Sequence, residues 1–175
     1  KEFQIDLEII SGGNSANFEW FKSSQDVGRV NNLRLGESIL LGCETVGRKV
    51  IPGLHTGAFQ LIAEVIESKR KASVPLGEIC QDAFGNVPGF LDRGDHQRVI
   101  IALGRQDVQV SNLKSNNKLK MIGSSSDHII LDGENHNLEV GDEIRFSLDY
   151  SGLLATMTSP FVIKQFTDSN AHVAA

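Results

Sequence analysis

The sequence predicts a mainly β protein, an antiparallel β-barrel or sandwich preceded by a short βαβ piece. Three observations support that fold class. Over residues 58–68 apolar side chains alternate, with Phe59, Leu61, Ala63 and Val65 on one face, the two-residue period of a half-buried strand. Further apolar runs follow at short intervals with turn residues between them, as in a sandwich or barrel. Ahead of Pro52-Gly53 the pattern differs: strand, helix and strand in succession make one unit of a parallel α/β layout.

Residues 3–10 are an apolar-rich run with partial alternation and predict the first strand. Ser11-Gly12-Gly13-Asn14-Ser15 is a turn that passes into helix N-cap chemistry. Residues 16–22 continue as a short helix, which Gly28 and Asn31-Asn32 break. Residues 33–41 read as the second strand, ended by Gly42. Beyond residues 58–68, strands are predicted over 97–103, 107–110, 119–122, 128–131 and 143–148. A helical turn or two is predicted over 151–157 and a closing strand over 160–163. The basic triplet Lys69, Arg70 and Lys71 reads as a solvated hairpin tip. The expected organisation is a terminal βαβ piece (1–45), a β domain (55–165) and a polar tail that frays (166–175). A parallel strand pair wants neighbours, because both sheet faces and both edges need cover. With Lys1 in place of an initiator methionine, the expectation is a piece of a larger α/β sheet or barrel.

Composition narrows the function. Hydrophobic residues at 40% and charged residues at 22% fit a globular chain rather than a disordered one. A net charge of −5 without any basic stripe argues against a nucleic-acid partner. The longest apolar run, residues 38–42, is too short to span a membrane, and no signal peptide precedes the first predicted strand. A cytoplasmic protein without a membrane partner is expected. Cys43 and Cys80 lack metal spacing and are expected as reduced thiols. The histidines show no ligand spacing, so no metal site is expected.

Gly12, Gly13, Asn14 and Ser15 between a strand and a helix are a candidate anion site. Small residues let backbone N–H groups approach a phosphate, and a helix N-terminus adds a favourable dipole. An ordinary N-cap is the plainer reading of the same residues. The next segment, Leu33-Arg34-Leu35-Gly36-Glu37, changes the balance. In this order the two segments resemble motifs at the ends of late barrel strands in the alanine racemase family, S-x-A-N-S and V-R-x-G-I. The resemblance runs on through RLGESILLG (34–42), IPGL (51–54), GEICQDAFG (77–85), ALGRQD (102–107), GSSSDH (123–128), LDY (148–150) and MTSP (157–160). There it is closer to the ornithine racemase branch than to alanine racemase itself, and it covers most of the chain.

The resemblance implies the C-terminal portion of a pyridoxal 5′-phosphate (PLP) dependent amino-acid racemase, an isomerase. Residues 1–45 would be a remnant of a TIM-type (β/α)8 barrel. Carried over residue by residue, Ser15 in its motif with Asn14, and the Gly36–Glu37 backbone, hold the cofactor phosphate. Arg34 faces the pyridine nitrogen. A guanidinium does not give up a proton, so the ring nitrogen stays unprotonated and the ring is a weaker electron sink, which suits fast return of a proton. The family's Schiff-base lysine lies on the first barrel strand, and no lysine here stands in a matching motif, so PLP is expected in the complete protein but not as a resident group of this chain alone, which is expected to be inactive. The family's opposite-face tyrosine is also missing from Gly77-Glu-Ile-Cys-Gln-Asp82. Asp82 is expected to take its place, ahead of Cys80. Asp127 and His128 fall where the family reaches the substrate carboxylate from the partner subunit, and Arg105 is a candidate contact for a substrate side chain. The implied reaction is two-base Cα proton transfer on a free amino acid, ornithine or another basic one, in a head-to-tail homodimer or with a missing N-terminal barrel segment. The alternatives are a non-catalytic dimerisation or binding β domain, or a split subunit.

Overall fold

The alternation that begins near residue 58 builds the longest strand, β1 (Gln60–Ala72). Leu61, Ala63 and Val65 point inward, while Gln60, Ile62 and Glu64 face out. The computed structural model describes residues 5–81, 85–115 and 119–167, and the chain divides into two units, Lys1–Phe59 and Gln60–Ala175.

In the second unit β1 joins β2 (Asp95–Ile101), β3 (Leu113–Ser115), β4 (Lys120–Ser124), β5 (Ile129–Asp132) and β6 (Glu143–Leu148). The six strands form one sheet in the order β3-β6-β1-β2-β5-β4, with every pairing antiparallel. β1 serves two partners along its length. Its first half pairs with β6, setting Leu61 opposite Phe146 and Ala63 opposite Ile144. From Val65 onward it pairs with β2, setting Val65 opposite Ile101. The register slips between Val65 and Glu67, and an extra residue in one strand bends it and increases its twist. The inward side chains of both halves therefore share one core: Val65, Val99, Ile101, Ile129, Leu131, Ile144 and Phe146 have no exposed surface. This mainly antiparallel half-barrel is the fold class that the sequence predicts.

Several elements differ from expectation. Residues 107–110 form no strand, because Asp107 is used in a turn: its carboxylate accepts the Gly104 N–H at 3.0 Å, and a short 3-10 turn, Val110–Asn112, follows. The strand Leu113–Ser115 was missed. Lys69, Arg70 and Lys71 are not a hairpin tip. They lie inside β1, exposed, with Lys69 and Lys71 paired to Glu67 and Arg70 to Glu134. Residues 160–163 form no strand. The helical turns near 151–157 are one helix, Tyr150–Thr158, whose N-cap Asp149 accepts the Gly152 N–H at 2.7 Å.

In the first unit a 3-10 turn, Ser15–Asn17, leads into α1 (Phe18–Ser23). A second short helix, α2 (Glu37–Leu41), stands where the sequence predicts the second strand. Gly36 breaks the extended run before it, and Gly42, with φ of 67°, ends it in the left-handed region that glycine enters without steric cost. A side chain at Gly42 would also strike the His55 carbonyl, 2.4 Å from the added Cβ. Residues 5–10 form no strand either. What remains of the parallel pair is a bridge between Ser11 and Asn32, with Asn31 N–H donating to Ile10 O and Gly12 N–H to Asn32 O, each at 3.1 Å.

Candidate functional site

The parallel bridge decides which groups meet. It brings the turn after Ser11 beside the turn after Asn32, and Arg34 N–H donates to Gly13 O at 3.3 Å. Ser15 and the start of α2 then converge. The buried Ser15 Oγ lies 3.3 Å from Gly36 N, 3.2 Å from Ser38 N and 3.1 Å from Ser38 Oγ. A hydroxyl oxygen has two lone pairs and one proton. The two amides and the Ser38 hydroxyl are three donors directed at two lone pairs, so they are not all fully satisfied. The bonds are longer than the usual N–H···O spacing, so a charged oxygen would compete for these donors on favourable terms. A Cβ built on Gly36 meets nothing within 4 Å, so open space lies in front of that residue. The first amides of α2, Glu37 among them, have no carbonyl four residues back inside the helix.

Arg34 is exposed, and its Nη1 donates to Ser11 Oγ at 2.8 Å, which fixes one side of the guanidinium. Asn14 serves as the cap: its side-chain oxygen accepts Ala16 N–H at 2.9 Å, and Asn17 Oδ1 accepts Asn14 N–H at 3.1 Å. That occupies the Asn14 oxygen in helix capping. The Glu37 carboxylate is ion-paired to Arg48. Arg48 is presented by a turn that Glu44 builds. The buried Glu44 carboxylate accepts the N–H groups of Lys49 at 3.0 Å, Val46 at 2.7 Å and Gly47 at 2.6 Å, and these bonds hold it below the usual carboxylate range. Contact with the Glu37 carboxylate raises Arg48 above its ordinary value.

A second cluster forms within the β unit. The turn between β4 and β5 docks on the loop after β2 through Arg105 N–H to Ser125 O and Gln106 N–H to Ser126 O, each at 3.0 Å. The Gln106 side-chain amide donates to the exposed Asp127, and Arg105 Nε donates to Ser124 Oγ at 2.8 Å. Arg105 and the adjacent pair Asp127 and His128 thus belong to one pair of joined loops. Asp107 is occupied in the turn, where it accepts the Gly104 N–H. Asp82 lies outside the described residues. Cys80 is exposed, Cys43 half-buried, and neither is in a disulfide. Among the described residues no group of three metal-binding side chains is found, and no helix is long and apolar enough to cross a membrane. A hollow of about 480 Å³ between α1 and residues 31–35 is lined by Phe18, Phe21 and Leu33 among others, and none of the predicted site residues reaches it.

Sequence reasoning missed Ser38 and Gln106. Ser38 follows directly on the Gly36–Glu37 motif, but reading residues 33–41 as a strand turned it away from Ser15. Gln106 sits beside Arg105, and nothing local to it marks the long-range contact with Asp127.

No protein-family model matches the chain. The chain is 41% identical over 167 residues to the ornithine racemase of Acetoanaerobium sticklandii, covering 94% of this chain and 47% of that protein. It is 42% identical over 171 residues to the lysine racemase of Thermotoga maritima, covering 97% of this chain and 48% of that protein. The chain is a relative of these racemases. It spans about half the length of the curated relatives it matches. The crystal structure of alanine racemase from Bartonella henselae with covalently bound pyridoxal phosphate matches at a TM-score of 0.53 and 21% identity, over 82% of this chain and 39% of that one. That likeness shows a shared fold. The racemase resemblance read from the motifs therefore stands.

Proposed function

We propose that this chain supplies the phosphate-holding and opposite-face parts of a PLP-dependent amino-acid racemase acting on a basic amino acid such as ornithine or lysine. The observation that carries the reading is the convergence of Gly36 N–H, Ser38 N–H and the Ser38 hydroxyl on Ser15 Oγ, with open space in front of Gly36. This donor set fits a phosphate. Residues 1–45 are then the part of an incomplete PLP-binding barrel that ends in this cup, and residues 55–165 the β domain that carries the opposite-face groups.

When bound, the cofactor serves as an electron sink that acidifies the substrate Cα–H. The protein's own residues do the rest. Ser15, Ser38 and the Gly36–Glu37 backbone hold the phosphate, and Asn14 keeps the turn that presents Ser15. Arg34, steadied by Ser11, meets the ring nitrogen with a group that keeps its proton. One proton-transfer group is the family's lysine, which no motif of this chain provides. The other is Asp82. Asp127 and His128, on the loops joined by Gln106, meet the amino-acid substrate, contributed across a homodimer. A negative Asp127 favours a cationic substrate side chain. The setting is cytoplasmic.

The test is chiral chromatography of L-ornithine, L-lysine and L-alanine incubated with PLP. The 175-residue chain alone is expected to give no turnover. Co-expressed with the part of the A. sticklandii ornithine racemase that it does not match, it is expected to racemise ornithine or lysine in preference to alanine. Turnover by the chain alone would overturn the assignment of the lysine to another segment, and a soluble but inactive co-complex would count against the racemase reading.

A further inference from the structure

The Glu37 carboxylate sits on the turn of α2 whose Gly36 and Ser38 amides reach Ser15. A negative charge there opposes a second anion within a residue or two of it, well inside a Debye length of roughly 10 Å. The structure answers this charge with one residue. Arg48 is ion-paired to Glu37, whose side chain is 20% exposed against 53% for Arg48. Arg48 holds a φ of 60°, and among the described residues it is the only non-glycine at positive φ. Such backbone strain persists only where its surroundings impose it. Here the buried Glu44 imposes it, by gathering the N–H groups of Val46, Gly47 and Lys49, and the Cys43–Val50 bridge closes the base of the turn. The whole turn from residue 43 to 50 thus presents one guanidinium to one carboxylate.

We propose that Arg48 is a positioning residue for the phosphate cup: it neutralises Glu37 and holds its carboxylate aside, so that a phosphate can occupy the Ser15–Gly36–Ser38 donors. The inference rests on the phosphate reading given above and adds to it a residue that touches neither phosphate nor ring.

The test is calorimetric titration of the 175-residue chain with pyridoxine 5′-phosphate, and with pyridoxine as the control without phosphate. Neither carries an aldehyde, so surface lysines do not react. Arg48→Gln leaves Glu37 uncompensated and is expected to weaken pyridoxine 5′-phosphate binding about fivefold or more, the loss shrinking as salt is raised. Glu37→Gln is expected to tighten it, because Arg48 keeps a free charge. In the double variant the Arg48 substitution is expected to cost less than half as much as it does alone. Equal affinity of wild type and Arg48→Gln, or an Arg48 effect of the same size with and without Glu37, would overturn the proposal. Wild-type chain that binds pyridoxine 5′-phosphate no better than pyridoxine would instead overturn the phosphate reading on which it rests. Should Arg48→Gln fold poorly, Arg48→Lys keeps the charge and is expected to retain most of the affinity, and its failure to do so would equally count against the proposal.

Discussion

Gly104 has the least room for a side chain among the glycines of the β unit, and replacing it by alanine tests how the Asp127 loop is held. A Cβ at this position would lie 2.0 Å from Ser126 O, 2.3 Å from Ser126 C and 2.4 Å from Asp127 N. These are main-chain atoms, so no rotamer change relieves the clash, and the two loops must part. Parting breaks the bonds from Arg105 N–H to Ser125 O and from Gln106 N–H to Ser126 O. Each is worth about 1 kcal/mol, and forcing backbone aside costs about 1–3 kcal/mol more. Gly104→Ala is therefore expected to destabilise the unit by about 3–5 kcal/mol, which at about 4 °C per kcal/mol lowers the thermal midpoint by about 12–20 °C. Thermal melting followed by far-UV circular dichroism reads this. Gly89→Ala is the control, since its added Cβ meets nothing within 4 Å, and it is expected to stay within about 0.5 kcal/mol of wild type. A Gly104→Ala midpoint within about 2 °C of wild type would refute the packing account of the seam.

Three further outcomes follow from the structure. Asp149→Ala removes the N-cap of the helix Tyr150–Thr158 and is expected to cost about 1 kcal/mol, with Asp149→Ser recovering most of it in the same melting assay. Phe146→Ala empties a fully buried site opposite Leu61 and is expected to cost about 3–5 kcal/mol by denaturant titration, and a loss below about 1 kcal/mol would contradict the shared core. Stability is expected to fall in acid. Hydrogen bonds from Lys69 and Lys71 lower Glu67 to about 2, and the Gln97 N–H holds Glu134 down. Burial works against Asp132, but the Glu134 N–H, His96 and Arg93 keep its carboxyl below the usual range. For groups lowered by folding the unfolded chain binds more protons, so their stabilisation is complete above about pH 4.5 and drains away toward about pH 2; a midpoint that stays flat over that window would contradict these pairings.

The β unit was largely legible because its core strands alternate: the first half of β1, up to Val65, and β5 and β6 bury alternate residues, and that period needs no tertiary information. The short pieces were not. Leu113–Ser115 is a strand only because β6 offers it an edge, and residues 107–110 lose their strand character because Asp107 turns back on Gly104. α2 was misread for a related reason. Glu37–Leu41 holds only three apolar residues, Ile39, Leu40 and Leu41, too few to show a period, and the deciding signals were the flanking Gly36 and Gly42. The candidate site was legible as motifs, Ser15 with Gly36 and Arg34 in order, but its cross-links were not: Ser38 to Ser15, Arg48 to Glu37 and Gln106 to Asp127 join residues that no local pattern connects.

The central claim, that this chain carries a phosphate site at the start of α2, is tested most directly by backbone amide spectra of the labelled chain during titration with pyridoxine 5′-phosphate and with pyridoxine. The account predicts shifts concentrated at Gly36, Glu37 and Ser38 with the phosphorylated ligand alone, and their loss in Ser15→Ala. Shifts scattered over the β unit, or the same shifts from pyridoxine, would contradict it.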